Sequence, residues 1–140
     1  LYLLYLSPRG DLQEHATKAA FSDGIWLESA QYTQRGASSG VGVSLTWMTQ
    51  TRVERNYKVF VHLYSADGRL VAQHDAIPVN ELRPMPSWQP GEQIVDRHGL
   101  WVPKDAQGPL RLVVGIYDPE TGARLRLKNG DDTMTLGQVD

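Results

Sequence analysis

The amino-acid sequence predicts an all-β fold, a two-layer antiparallel β-sandwich of about eight strands that is immunoglobulin-like or jelly-roll-like. Apolar side chains alternate with other residues along 41–47, 57–64 and 110–117, a period of two that is typical of strands with a buried face. Turn-forming residue pairs separate these segments at short intervals. A helical period is found only over Leu12–Ala20, where it is short and weak. These features favour a single sandwich domain spanning residues 1–140.

The segment 57–64 is predicted to be a central strand, because large side chains occupy both of its faces. Val59 and Leu63 alternate with Phe60 and His62 along this run. A strand that is buried on both faces lies inside a sheet and not at its edge. Weaker strand candidates are residues 25–32, 69–75, 93–102, 123–128 and 133–139.

Two residue pairs predict β-hairpins, Asp67-Gly68 and Asn129-Gly130, since both can adopt the positive φ that tight hairpin turns require. The length of the first hairpin loop sets the register of the two strands that it joins. Whether this loop has two residues or three decides if His74 lies opposite Val61 or opposite Phe60. The sequence leaves these two registers open.

The composition excludes several classes of protein. Lys and Arg number 14 against 16 Asp and Glu, so the formal net charge is −2, and both signs are scattered along the 140 residues. A nucleic-acid-binding surface needs a basic stripe, so we expect no nucleic-acid partner. The chain has no cysteine, which excludes disulfides, thiolate metal sites and cysteine nucleophiles.

The chain begins at Leu1 and not at a methionine, so we expect it to be a fragment of a longer protein. Its first run, Leu1–Leu6, is apolar but far shorter than the roughly 18 residues of a membrane-spanning helix. The run also lacks the basic segment and cleavage site of a signal peptide. Two interpretations stay open: a first strand packed on the core, or the end of a membrane segment that lies upstream.

Three aromatic residues are candidates for a ligand-binding surface, since exposed rings bind sugars by stacking. Trp88 lies in the irregular stretch 76–92, which holds four prolines, and long loops in compact domains are often functional. The same indole could instead be a buried plug at the end of the core. Trp101 and Tyr117 complete the candidate set, whereas Trp47 ends an alternating apolar face and is expected in the core.

Three carboxylates are candidates for a metal site, because Asp75, Asp96 and Asp118 each accompany a strand-like run. Gathered at one end of a sandwich, they could bind Ca²⁺ through their oxygen atoms. They could equally cap the amides of nearby turns or act as acid and base. We expect no other cofactor. His62 and His74 would lie on neighbouring strands, but two imidazoles are too few for a zinc site.

The motifs of common enzyme classes are absent, since the sequence has no nucleophile elbow, no P-loop and no dinucleotide-binding fingerprint. Asp96 and His98 are two residues apart and would point the same way along a strand. His74 adjoins Asp75, and Arg97 adjoins Asp96. Cationic neighbours hold a carboxylate ionised, whereas a catalytic acid needs a raised pKa. The sequence therefore predicts no catalytic residue.

Four segments, taken in order, resemble the extracytoplasmic β-sandwich that follows the membrane helices of some bacterial integral-membrane glycosyltransferases, those related to protein mannosyltransferases and aminoarabinose transferases. The matching segments are VSLTW (43–47), YKVFVHLYSADGRLVAQHDAIP (57–78), SWQPGEQIVD (87–96) and LVVGIYDPETGARL (112–125). The family pattern favours a Gly before a Pro in the loop after Asp75 and a Tyr after Asp96. This chain instead has VNELRPMP in that loop and Arg97-His98 after Asp96.

The resemblance implies a non-catalytic accessory domain of a membrane-bound glycosyltransferase, on the extracytoplasmic face of a bacterial membrane. The catalytic carboxylates of that family lie in loops between membrane helices, so none carries over to this chain. The expected partner is a glycan or the membrane portion of the parent protein. Two alternatives stay open: a freestanding structural or carbohydrate-binding sandwich, and a hydrolytic enzyme that uses Asp75, Asp96 or His98.

Overall fold

The fold is all-β, as the sequence predicts. A computed structural model describes residues 12–15, 18–37 and 39–140, so the run Leu1–Leu6 lies outside the described residues. Within those ranges no helix is long and apolar enough to cross a membrane. The nine strands of the described residues are β1 (Leu12–His15), β2 (Ala19–Ala20), β3 (Ile25–Thr33), β4 (Gly40–Thr49), β5 (Lys58–Tyr64), β6 (Leu70–Ala76), β7 (Ile94–Trp101), β8 (Leu110–Tyr117) and β9 (Met134–Val139).

The strands form two antiparallel sheets. The first sheet has the order β1-β3-β4-β7, with β2 also paired to β3, and the second has the order β6-β5-β8-β9. The central position predicted for residues 57–64 is confirmed, because β5 lies between β6 and β8. The hairpin register that the sequence left open places Val61 opposite His74 and Phe60 opposite Asp75.

The core lies between the two sheets and is built from alternate residues of each strand. Val61 and Leu63 of β5 and Leu45 and Trp47 of β4 are all fully buried in one apolar cluster. Burying side chains of this size contributes roughly 1.5–3 kcal/mol each. The structure thus confirms that Trp47 belongs to the core.

Two weakly patterned segments need separate description, and only the second differs from the sequence expectation. The helical period over Leu12–Ala20 does not produce a helix, because its described residues pair with β3 as β1 and β2. A short run gains little as an isolated helix, so pairing to an open strand edge is favoured. Residues 123–128 do not form a strand either. This segment makes single bridges to both sheets, Arg124 to Tyr117 and Leu127 to Phe21, and it therefore cannot pair continuously with one of them.

Side chains hold the long loop between β6 and β7 in place. Its 3-10 turn, Met85–Ser87, precedes Trp88, and the side chains of Met85 and Trp88 are fully buried. The Arg83 guanidinium donates two hydrogen bonds to the Glu92 carboxylate, at 3.0 and 2.8 Å. This contact is the main reason that the pKa of Glu92 is lowered to about 2. The loop is therefore a packed part of the fold.

The same loop contains a left-handed turn. Val79, Asn80 and Glu81 have φ values of 58°, 52° and 73°, and non-glycine residues adopt this conformation only at a cost. The Glu81 carboxylate accepts the Ile77 N–H at 2.9 Å. The Val79 N–H donates to Asp96 of β7 at 2.8 Å. These two contacts hold the turn in its strained conformation.

The packing of the second sheet can be tested at Gly115 in β8. A Cβ atom at this position would overlap the ring of Phe60, so Gly115→Ala should lower the free energy of unfolding by about 1–3 kcal/mol. The control is Gly99→Ala in β7, where an added Cβ would meet open space and should cost less than about 0.5 kcal/mol. Urea denaturation measures both values, and equal losses would contradict the packing described for Phe60.

Candidate functional site

The structure places the three candidate aromatic residues in different parts of the fold. Trp88 is 0% exposed and joins the core cluster, and its indole N–H donates to the Arg83 carbonyl at 2.9 Å. The expectation that Trp88 offers its ring to a sugar is therefore corrected, and the alternative of a buried plug holds. Tyr117 is half-buried at the end of β8, and Trp101 ends β7 in the other sheet.

Trp101 presents a large aromatic surface to solvent. The residue is 72% exposed and pairs with Gly40 at the start of β4. Its six-membered ring lies over this glycine, since a Cβ atom there would stand 3.2 Å from Cζ3 of the indole. The missing side chain at Gly40 thus lets the ring lie close to the sheet.

The backbone beside Trp101 is uncovered on the same outer face of the sheet. The next pair on this face is Gly42 and Gly99. A Cβ atom on Gly99 would meet nothing within 4 Å, and one on Gly42 would lie 4.0 Å from the Thr33 hydroxyl oxygen. The pair after that is Ser44 and Arg97, which are able to donate hydrogen bonds. We call the surface formed by Trp101, Gly42, Gly99, Ser44 and Arg97 the Trp101 platform.

Asp75 and Tyr117 lie together at a shallow hollow of about 280 Å³ on the outer face of the second sheet, where Phe60, His62 and Arg124 also form its walls. The Arg124 guanidinium carbon lies 4.4 Å from the centre of the Phe60 ring, a distance at which a cation attracts an aromatic face. Among the described residues, no serine or threonine hydroxyl lines this hollow. A serine nucleophile beside Asp75 is therefore not formed there.

His62 is the buried titratable residue among those described at this hollow. Its Nε2 lies 3.4 Å from Oδ1 of Asp75, and its Nδ1 lies 3.2 Å from the Tyr64 hydroxyl. Burial lowers the pKa of His62 below its ordinary value of 6.5, and the charge of Asp75 opposes this shift. The imidazole is consequently neutral at neutral pH.

Asp96 has a different environment, inside the sandwich. Its side chain is 1% exposed, and three donors reach its carboxylate: Trp47 Nε1 at 3.3 Å, the Val79 N–H at 2.8 Å and His98 Nε2 at 2.7 Å. A buried carboxylate is stable only when donors compensate for its lost hydration. The expectation that Asp96 caps a loop amide is confirmed at Val79.

The chain of contacts continues from His98 to the opposite sheet. Nδ1 of His98 lies 2.8 Å from Nδ1 of His74 in β6, and both imidazoles point into the interior. A carboxylate only accepts hydrogen bonds, so Nε2 of His98 carries the proton that faces Asp96. In the contact between His98 and His74, one Nδ1 donates and the other accepts, and the tautomer sets which. We call Asp96, His98 and His74 the polar seam, because it closes the side of the sandwich between β6 and β7.

The environment of His74 favours its neutral form. Burial lowers its pKa below the ordinary value of 6.5, and the charge of His98 acts in the same direction. The carboxylates of Asp96, Asp75 and Glu81 oppose the shift.

The structure does not bring Asp75, Asp96 and Asp118 together as the candidate Ca²⁺ site would require. Asp118 accepts the Glu120 N–H at 2.9 Å and pairs with Arg55 at 2.7 Å, so it caps its turn. Among the described residues, no group of three or more His, Asp or Glu side chains could hold a metal ion. The three side chains lie apart because Asp75 points outward from the second sheet and Asp96 points inward from the first.

The polar seam was missed by sequence reasoning, although each of its residues was noted. The alternation along 94–101 indicates that Asp96 and His98 share a face. The register of the hairpin decides that His74 faces inward and His62 outward. Only the packing of one sheet on the other brings His74 to His98, and no local pattern carries that information.

Comparisons with protein-family models, with curated proteins and with solved structures find no match to this chain. The glycosyltransferase resemblance therefore stays a prediction.

The stability of the protein should fall as the pH drops below about 6.5. His62 and His74 resist protonation in the folded state, whereas the unfolded chain binds protons at the ordinary pKa of 6.5. Between that value and the lower folded pKa values, the unfolded state binds more protons, so stability is complete above this window and is lost as the pH falls through it.

The melting temperature, followed from about pH 8 to about pH 5, measures this linkage. His74→Gln should flatten the dependence in part, and His62→Gln should flatten it independently. A wild-type melting temperature that stays constant over this range would contradict the lowered pKa values, as would variants that keep the full slope.

Proposed function

We propose that this chain is a non-catalytic, saccharide-binding accessory module of a bacterial membrane-bound glycosyltransferase, located on the extracytoplasmic side. The observation that carries the binding role is the 72% exposure of Trp101 beside the uncovered backbone of Gly99. An exposed indole of this size is costly in water and is the type of surface on which sugar rings stack. The freestanding carbohydrate-binding alternative uses the same platform.

The shape of the Trp101 platform suits an extended saccharide. One sugar ring stacks on the indole, and the next ring lies over the glycine pair, where the space above Gly99 is open and the Thr33 hydroxyl stands beside Gly42. Ser44 and Arg97 follow on the same face and donate hydrogen bonds to hydroxyl groups of the saccharide. Because β7 is an edge strand, the ligand also has open access from the side.

A non-catalytic role is supported by the state of the three carboxylates. Asp96 is buried and is occupied by three donors, and Asp118 is occupied by Arg55 and a turn amide. Asp75 lies at a hollow that, in the part of the chain described here, offers no serine or threonine nucleophile. These contacts disfavour the hydrolase alternative.

The accessory role is supported by the four ordered segments that resemble the glycosyltransferase domain. On this proposal the reading frame continues upstream of Leu1 into membrane helices. If the reading frame encodes no membrane segment, the accessory role is refuted, and the Trp101 platform belongs to a freestanding saccharide-binding domain.

The binding role is tested by Trp101→Ala. This substitution should weaken binding of neutral oligosaccharides by about tenfold or more, because it removes the stacking surface. The matched control is Leu82→Ala, since Leu82 is 76% exposed and lies in the loop before β7. Isothermal titration with a panel of neutral oligosaccharides, together with amide chemical shifts, measures affinity and location.

A second variant tests the platform without removing the ring. Gly99→Val places a branched side chain over the uncovered backbone, and a valine suits an edge strand, so the fold should be retained while saccharide binding is lost. If no oligosaccharide binds the wild-type protein, or if Leu82→Ala weakens binding as much as Trp101→Ala, the binding role is refuted.

A further inference from the structure

A second concave surface lies on the side of the sandwich opposite the polar seam. It opens where β2 of the first sheet and β9 of the second come together, and its volume is about 730 Å³, within the usual range for sites that bind small molecules. We call this hollow the β2/β9 hollow. Its walls include Trp26 of β3, the small residues Ala19 and Ala20 of β2, and Thr133 and Thr135 near and within β9.

The charge of the β2/β9 hollow is opposite to that of the whole chain. Among the described residues, Lys18, Arg111 and Lys128 line it against the single carboxylate of Asp131, although the net charge of the chain is −2. Lys18 lies 3.4 Å from Glu28 and is partly neutralised. Among the residues that the structure describes, neither Arg111 nor Lys128 forms an ion pair, so both cations can serve a ligand.

Arg111 is held in position by an aromatic side chain. Its guanidinium carbon lies 5.1 Å from the centre of the Tyr64 ring, within the range of a cation–π contact. When a guanidinium stacks on an aromatic ring, its N–H groups lie in the guanidinium plane and stay free to donate. In that plane they match the oxygens of a phosphate or a carboxylate. The contact therefore orders Arg111, which lines both the β2/β9 hollow and a neighbouring hollow that Tyr64 lines.

The uncharged side chains of the β2/β9 hollow suit a ligand that has a ring bearing hydroxyl groups. The half-buried indole of Trp26 adjoins Ala20 in the strand pairing, and this small neighbour leaves room beside the aromatic face. The hydroxyls of Thr133 and Thr135 both donate and accept hydrogen bonds, as sugar hydroxyls require. An aromatic face, hydroxyls and cations together match an acidic sugar better than a bare anion or a neutral glycan.

We propose that the β2/β9 hollow binds an anionic saccharide, that is, a sugar ring bearing a phosphate or a carboxylate. The ring contacts Trp26, and the acidic group contacts Arg111 and Lys128. This site is separate from the Trp101 platform, which lies on the outer face of the first sheet between β4 and β7, and it does not depend on the function proposed for that platform.

The test uses the 140-residue chain and four probes: glucose 6-phosphate, glucuronic acid, glucose and inorganic phosphate. Amide chemical shifts should change at β2 and β9 with at least one acidic sugar, and the preferred probe identifies the acidic group as phosphate or carboxylate. Glucose and inorganic phosphate should bind at least about tenfold more weakly, and affinity should fall with added salt.

Two charge-reversal variants make the test specific. Lys128→Glu should weaken binding of the acidic sugar by about tenfold or more, whereas Lys104→Glu, the same change at an exposed residue between β7 and β8, should not. The proposal is overturned if no acidic sugar binds, if glucose or phosphate alone binds equally well, or if the two variants have equal effects.

Discussion

The buried carboxylate of Asp96 is the interaction on which the rest of this structure depends, because it connects four separate parts of the chain. Trp47 reaches it from the core of β4, and the Val79 N–H reaches it from the loop after β6. His98 reaches it from β7 and extends the contact to His74 in the opposite sheet. A carboxylate at 1% exposure is tolerated only when its donors are in place, so Trp47, Val79 and His98 must keep their positions around it. The strained left-handed turn at Val79 follows from the same requirement.

The two sides of the sandwich, where the edges of the two sheets meet, differ in their side chains. Between β6 and β7 the polar seam fills the gap, and its groups are occupied by one another. Between β2 and β9, the described residues leave the β2/β9 hollow open and line it with the exposed cations Lys18, Arg111 and Lys128. The exposed indole of Trp101 lies on neither side but on the outer face of the first sheet. Trp101 and these cations thus lie on the surface, whereas Asp96 and Asp118 are occupied by contacts within the fold.

The sequence predicts the parts of this fold that depend on local pattern. Alternation along 41–47, 57–64 and 110–117 is visible without coordinates and corresponds to β4, β5 and β8. The burial of Trp88 cannot be predicted from the sequence, because a proline-rich stretch is typical of an exposed loop. Only the packing of Met85 and Trp88 into the core shows that Trp88 is a buried plug. The proximity of His74 and His98 depends on how two sheets pack, and neither strand encodes that alone. The expected gathering of carboxylates fails for a related reason, since residues that end successive strands can point to opposite faces of different sheets.

The free energy of unfolding of Asp96→Asn, measured by urea denaturation, tests the role of this carboxylate most directly. An amide at this position has one acceptor oxygen for three donors and directs its own N–H groups at another donor. The variant should therefore lose about 2–4 kcal/mol, whereas Asp105→Asn, at an exposed position, should change stability by less than about 0.5 kcal/mol. If both variants are as stable as the wild-type protein, the buried carboxylate does not hold the two sheets and the loop together.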